Sequence, residues 1–446
     1  MSLVIRPSSF LRHSPFWFRH FCIGTSLTIT AHAEPIDLPT VLRLAGAQNI
    51  DVQIAQEKLN EARAAEESTQ MAFFPWVVAG AGYKAHNGSV QTVEGNIINT
   101  DKQAYNVGPT VGIQLDLGDA LYKRLAAKQL TKAAEHGADA QRRRSVLEAA
   151  ETYFDLCKAQ ANATVANEAL KTSKEYEDQI GNAVKAGVAF KGDELRAHTQ
   201  LKRYELLEQQ AAEQRRVAAA RLAQVLNLDG KVNLTPNPRD LVPLKLAPSG
   251  GSASVLVSQA LANRPEMKQG AALSDAAETG ARGARLGPLV PSLGAQVFGG
   301  GLGGGVGSDA GNFGGSGDYQ ITLGWRIGPG GLFDRSRIRA AESRAKQADL
   351  VIEKISDAIT REVVENFERV TLLRQQLTTS KDGVAAAQEA LKLARERKEF
   401  AVGVVLETLQ SEQDATKARL DYVNTVMELN KAQYRLKAAV GETSGK

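Results

Sequence analysis

The sequence predicts a largely α-helical chain that carries two membrane-type β-hairpins and is written twice. Three observations carry that reading. The same order of landmarks recurs, each copy holds one stretch of strict two-residue alternation, and each stretch is followed by a long helical run free of proline. Pro75 in "AFFPWV" corresponds to Pro291 in "PLVPSL", and Leu117-Gly118 to Ile327-Gly328. Gly187 in "KAGVAF" corresponds to Gly403 in "AVGVVL", and "NLDG" at 227–230 to "AAVG" at 438–441. A period of roughly 215 residues is too long for a solenoid unit and marks a duplicated half-molecule.

The first 33 residues read as a secretory leader. Arg6, Arg12, Arg19 and His20 give a positive start, Phe21 to Thr30 a short apolar stretch, and Ala31-His32-Ala33 a cleavage site before Glu34. Residues Arg19-His20-Phe21 before Cys22 are unlike a lipobox, which argues against a lipid anchor. Removing the leader takes three Arg from 54 basic residues and none from 50 acidic ones, leaving a formal charge of about +1. No basic patch then argues for nucleic acid. The one cysteine left, Cys157, lies on the helix stripe Leu147, Ala150, Phe154, Cys157, Ala161, where a buried thiol is expected. No run of 18 apolar residues follows the leader, so any membrane crossing must use strands.

Residues 38–70 have a helical pattern, with Val41, Leu44, Ile50, Ile54 and Leu59 among polar residues, and it ends at Phe74-Pro75. A strand is expected from Trp76 to Ala85, followed by a polar loop over 86–103. Then Tyr105, Val107, Pro109, Val111, Ile113, Leu115 and Leu117 alternate with Asn106, Gly108, Thr110, Gly112, Gln114 and Asp116. In the second copy Tyr319, Ile321, Leu323, Trp325 and Ile327 alternate with Gln320, Thr322, Gly324 and Arg326. Their partner strand is expected at 292–299, and the glycine-rich run beyond it reads as an exterior loop. A soluble sheet has the same alternation, and paired segments of about ten residues with one apolar face equally fit transmembrane strands.

After each hairpin the period becomes helical. Residues 119–186 contain no proline, and a helix of that length spans roughly 100 Å. Residues 335–402 repeat the pattern, with Ile352, Ile355, Ile359, Val363, Phe367, Val370, Leu373 and Leu377 on a coiled-coil-like seam. Each long helix reverses at a glycine and a second helix returns. The organisation is a leader (1–33), a first repeat (34–230; hairpin 76–117, helices 119–228), a Pro-rich linker (231–252), a second repeat (253–441; hairpin 292–327, helices 335–440) and a tail (442–446).

Four strands per chain leave open edges, which lipid does not tolerate. Two chains would supply eight strands and three would supply twelve. Only the larger barrel keeps a lumen free of side chains, which favours three copies for a pore.

Together these features resemble the TolC-type outer-membrane efflux and secretion protein family, from "IDLPTVLRLAGAQN" (36–49) through "YRLKAAVG" (434–441). The resemblance implies a homotrimer whose twelve-stranded barrel in the outer membrane of a Gram-negative bacterium continues into a periplasmic α-helical barrel. It implies a passive exit duct for a tripartite efflux or type I secretion system, with a periplasmic adaptor protein and an inner-membrane transporter of the RND, ABC or MFS class as partners. The cargo is not legible. The family's helix-turn tips, which meet the adaptor, map onto Ala186, Gly187 and Val188 and onto Val402, Gly403 and Val404, with Asp193 six residues past the first glycine. The best-known members close the entrance with acidic residues six and nine positions after the second glycine, a Tyr three before it and an Arg two after. Here those positions hold Leu409, Glu412, Phe400 and Val405, so apolar closure is expected, with Glu412 facing the pore.

Trp76 and Trp325 at the helix-proximal strand ends, and Tyr105 and Tyr319 at the far ends, are expected to form interfacial belts, with core aromatics as the alternative. Asp116 and Arg326, on the polar face, are expected to line the lumen. No cofactor, metal or catalytic site is expected: His86, His136 and His198 are dispersed, and no Ser or Cys has a nucleophile's context. The rival readings are a periplasmic adaptor, expected to have one hairpin and small β-domains, and a soluble structural coiled coil.

Overall fold

A computed structural model describes residues 34–229, 234–246, 252–307, 311–399 and 404–442. The expected leader lies outside the described residues, as do Phe400, Val402 and Gly403. The first repeat comprises β1 (Glu34–Ile36), α1 (Leu38–Gln48), α2 (Ile50–Met71), β2 (Trp76–Gln91), β3 (Ile97–Asp116), α3 (Leu117–Lys185) and α4 (Lys191–Val225). A short strand, β4 (Leu234–Pro236), follows. The second repeat comprises α5 (Ala253–Asn263), α6 (Pro265–Leu286), β5 (Ser292–Val306), β6 (Gly314–Gly324), α7 (Arg335–Glu399) and α8 (Val405–Val440).

The first helical stretch is broken where the sequence pattern runs through. Asn49 is extended and caps α2, its Oδ1 accepting from Asp51 N at 2.9 Å. Its Nδ2 donates to Val225 O at 2.9 Å, and Ser145 Oγ donates to its Oδ1 at 3.1 Å. One buried amide thus fixes the break against both α3 and α4. In the second repeat the break falls at Arg264-Pro265, where proline starts the next helix without needing its N–H.

α3 has 69 residues and α7 has 65, each continuous for roughly 100 Å. Much of α3's buried face is small: Ala133, Ala149, Ala150, Ala159, Ala166 and Ala169 let neighbouring helices approach closely. The largest side chains gather at one level, where Tyr153, Phe154, Leu156 and Cys157 meet Val41, Leu222, Leu226 and Met427. Burying groups of this size is worth about 1.5–3 kcal/mol each. Burial also pushes the Cys157 thiol far above its ordinary range, as an inert structural residue requires.

The connection between repeats is extended and fastened along its length. β4 pairs in parallel with β1, and Asp240 accepts from Tyr153 Oη at 2.6 Å and from Leu38 N at 3.4 Å. Beyond it, two buried amides on α8 act as a surrogate strand. Asn430 accepts from Leu244 N at 2.9 Å and donates to Val242 O at 2.9 Å. Gln433 accepts from Leu246 N at 3.2 Å and donates to Leu244 O at 3.0 Å.

All four long strands form one antiparallel sheet in the order β2-β3-β5-β6, so the two hairpins pair with each other through β3 and β5. The stretch expected as a polar loop is mostly strand. Pairing continues from Lys84↔Ala104 to Gln91↔Ile97, and the reversal occupies only 92–96, with Gly95 in the left-handed region at φ 93°. The glycine run expected as an exterior loop is strand through Val306, because main-chain ladders need no side chains. At Gly300 the backbone passes so close to Val107 O that a Cβ has no room.

Asn430→Ala removes the partners of Leu244 N–H and Val242 C=O on a partly exposed segment. We expect a loss of about 1–3 kcal/mol, seen as a lower urea midpoint of the helical circular-dichroism signal in detergent.

Candidate membrane sheet and helix tips

The register sorts the sheet's side chains into two faces. Val77↔Val111, Ala79↔Pro109, Ala81↔Val107 and Tyr83↔Tyr105 share one face. It continues through Leu115↔Leu293, Ile113↔Ala295 and Val111↔Val297, and then through Leu323, Ile321 and Tyr319. Every one of these positions is apolar, aromatic or proline, and Val77, Val107, Val297 and Ile321 are more than half exposed in the single chain. From Tyr105 to Leu115, ten residues at about 3.4 Å and a tilt of 35–45° give a band about 25 Å tall. No helix among the described residues is long and apolar enough to cross a membrane.

Aromatic placement differs from the sequence expectation at two of four positions. Tyr105 lies on the apolar face, stacked on Phe313 with centroids 5.8 Å apart and planes 6° apart. Trp325 lies just past β6, exposed, with Nε1 donating to Leu289 O at 3.1 Å. Tyr319, however, is level with Val297 and Val111 in mid-sheet, because β6 starts five residues before it. Trp76 pairs with Gly112, which pairs with Gln296, so it lies on the polar face with its indole across Gly112. Tyr83 and Phe313 join Tyr105 at the loop-ward rim. Tyr83 could have been found from its parity with Val77, Ala79 and Ala81, whereas Phe313 lay in the run read as loop.

On the opposite face Asp116, Gln114, Thr110 and Asn106 of β3 alternate as expected. Arg326 lies beyond the strand, in a turn where Gly328 and Gly330 have φ of 106° and 75°. In the same junction Asp334 caps α7, accepting from Gly330 N at 2.8 Å and Arg337 N at 3.0 Å. Arg337 in turn grips Asp119 of α3 with Nη2 at 2.9 and 2.7 Å from its two oxygens.

At the other end, Gly187 closes α3. It has φ 76°, its N–H reaches Val184 O at 3.0 Å, and Val188 N–H reaches Ala183 O at 2.9 Å. That double bond pattern is a Schellman cap, which favours glycine at the left-handed residue. Asn227 (φ 54°) and Gly441 (φ 89°) make the same cap on α4 and α8, and Gly230 lies outside the described residues. Val188, Phe190 and Val404 are left strongly exposed at the tip. Asp193 stands in the first turn of α4 and pairs with Arg196 at 3.1 Å.

Val405 and Leu409 pack with Tyr176, Ile180 and Ala197. Glu412 follows on the same stripe and is only 4% exposed within one chain. It therefore points into the helix pack between α3, α4 and α8, not outward to a pore. A residue three after Leu409 shares its helix face, and that face is turned inward. Glu412 Oε1, Tyr176 Oη and Thr408 Oγ1 are buried without a hydrogen-bond partner among the described residues. Burial pushes the Glu412 carboxyl above its ordinary range, and the Arg395 guanidinium pulls weakly the other way.

The duplication seen in the fold coincides with two matches to the family model for outer membrane efflux proteins, over residues 41–228 and 256–442. The chain belongs to the outer membrane efflux protein family. It is an outer-membrane channel of the TolC type from a Gram-negative bacterium, and not an enzyme. Channels of this family are trimeric and partner with efflux pumps. Solved structures with the same fold include a membrane protein from Pseudomonas aeruginosa, at 21% identity, TM-score 0.77, and coverage of 91% of this chain and 93% of that one. The CmeC outer membrane channel of Campylobacter jejuni aligns at 16% identity and TM-score 0.75, over 91% of this chain and 85% of that one. The MtrE outer membrane channel of Neisseria gonorrhoeae, in its open state, aligns at 20% identity and TM-score 0.71, over 91% and 88%. No curated protein matches the chain in sequence.

A carboxyl held above its unfolded-state value binds its proton more tightly when folded. Its contribution to stability is full below the unfolded value and declines as pH rises through the folded one. The hydrogen-exchange protection factors of the first turns of α8, taken relative to the base-catalysed intrinsic rate, should therefore fall from acid to neutral pH. Glu412→Gln should flatten that dependence and leave the neutral-pH tip better protected.

Proposed function

We propose that three copies of this chain assemble into a passive exit duct, docked at its helix tips by a periplasmic adaptor that links it to an inner-membrane transporter. The open four-stranded sheet carries the reading. Among the described residues, β2 and β6 each present an unpaired main-chain edge beside an apolar face. In lipid each unpaired group costs several kcal/mol, so edges must meet edges of other copies. Three copies give twelve strands and a water-filled bore, and the long helices extend the bore away from the membrane.

The tips support adaptor docking. Val188 and Phe190 are 78% and 83% exposed, next to a capped turn that holds them in place. RND, ABC and MFS transporters, and type I secretion, all suit a duct of this form, and the choice among them rests with the adaptor. The repeats run approximately over 34–230 and 253–441, each supplying one hairpin and one pair of long helices.

Membrane fractionation, mild detergent extraction and light scattering should give a species of three mature chains that conducts ions across a planar bilayer. A monomer soluble without detergent would overturn the reading. Val188→Asp with Phe190→Asp should weaken adaptor co-purification by at least about tenfold while leaving the trimer intact.

A further inference from the structure

Among the described residues, the polar face of the sheet carries two bulky aromatic side chains, a phenylalanine and a tryptophan. Trp76 pairs with Gly112, Gly112 with Gln296, and Gln296 with Gln320, which puts all four at one level of one face. One step nearer the loops, Val78 pairs with Thr110, Thr110 with Phe298, and Phe298 with Asp318. Trp76 is 46% exposed although its indole covers Gly112, so a broad aromatic surface faces away from lipid. A channel interior is ordinarily lined by polar groups, and neither aromatic contributes to the apolar band on the other side.

The charge at this level has one sign. Asp318 is exposed and has no ion pair among the described residues. The strand lysines of this face, Lys84 and Lys102, lie loop-ward, Lys84 six residues along β2 from Val78 and about 20 Å away, and Arg326 lies past the end of β6. These two adjacent levels, with Trp76 on one and Phe298 and Asp318 on the next, are therefore aromatic and anionic, and they repeat with every copy of the chain.

We propose that Trp76, Phe298 and Asp318 form a collar on the lumen side of the barrel that binds amphiphilic organic cations as they leave. The aromatic faces take up the cation's apolar bulk and interact with its charge through their quadrupoles. Asp318 supplies the opposing charge, and Gln296 and Gln320 keep the wall between them polar. The collar rests on the trimeric-duct reading and assigns that duct a cargo class.

Residues 34–446 contain two tryptophans, so Trp325→Phe leaves Trp76 as the sole tryptophan there, read with excitation that spares tyrosine. The purified trimer in mild detergent is titrated with tetraphenylphosphonium, with tetraphenylborate for equal bulk and opposite charge, and with tetramethylammonium for charge without bulk. Trp76→Phe, which keeps Trp325, reports uptake by the micelle. Saturable quenching of Trp76 by tetraphenylphosphonium alone is expected. Asp318→Asn should remove the preference over the borate, and Phe298→Ala should weaken binding about threefold. Linear quenching, equal quenching by the borate, or no effect of Asp318→Asn would overturn the collar. If the same preparation is trimeric and conducts ions, the duct stands without the collar; if it does neither, both fall.

Discussion

Satisfying the main chain in lipid is the constraint from which the rest of this architecture follows. A strand can cross a membrane only if both of its edges are paired. One repeat supplies two strands, and the second repeat pairs its own hairpin against the first through β3 and β5. Two edges remain, on β2 and β6, and they close against other copies. Duplication thus halves the problem within the chain, and oligomerisation completes it. The helices answer a second need. They prolong the bore well beyond the bilayer, and at roughly 100 Å no single chain can bury them in a compact core. Their narrow alanine faces instead fit side-by-side packing.

Much of this was legible because lipid imposes a plain pattern. Alternation from Tyr105 to Leu117 revealed β3, since a buried apolar face and a wetted polar face cannot both be satisfied by any other period. The pattern failed where lipid no longer acts. Between 86 and 103 both faces meet water, so pairing persists without alternation and the segment looked like a loop. The glycines of 299–304 carry no side-chain signal at all, yet they pair with β3 where the backbones pass closely. Trp76 was misplaced for a related reason. Val77 and Val78 follow it on opposite faces, so parity near the strand's start is ambiguous until the register with Gly112 is known.

The helix tips were legible as turns and not as a gate. Gly187 announced a reversal because the Schellman cap needs a left-handed residue. The orientation of Glu412 could not be read, because the stripe Val405, Leu409, Glu412, Thr416 is a continuous helix face whose partner the sequence does not name. The structure turns that face onto Tyr176 and Ile180 and buries the carboxyl among hydroxyls. A charge that looked available to a pore thus belongs to the packing of one chain. The same holds for Asn430 and Gln433, polar residues on α8 whose role is to pair the main chain of the inter-repeat connection.

The two repeats are alike in order and unlike at the junction between sheet and helix. β3 ends at Asp116 and α3 begins at the next residue, with Gly118 set so tightly against Gly287 O that no side chain fits. β6 instead hands over to α7 through ten residues that include Gly328 and Gly330 in the left-handed region. A strand running straight into a helix transmits tilt rigidly, whereas a glycine turn lets the next helix choose its own angle. Arg337 restores the coupling that the turn releases, because its guanidinium holds Asp119 at the start of α3 while its own N–H is capped by Asp334. The barrel-to-tunnel transition is therefore set by one covalent joint and one ionic joint per chain. A twelve-stranded sheet and a ring of helices have different natural angles and radii, and a joint of each kind lets both close on the same axis.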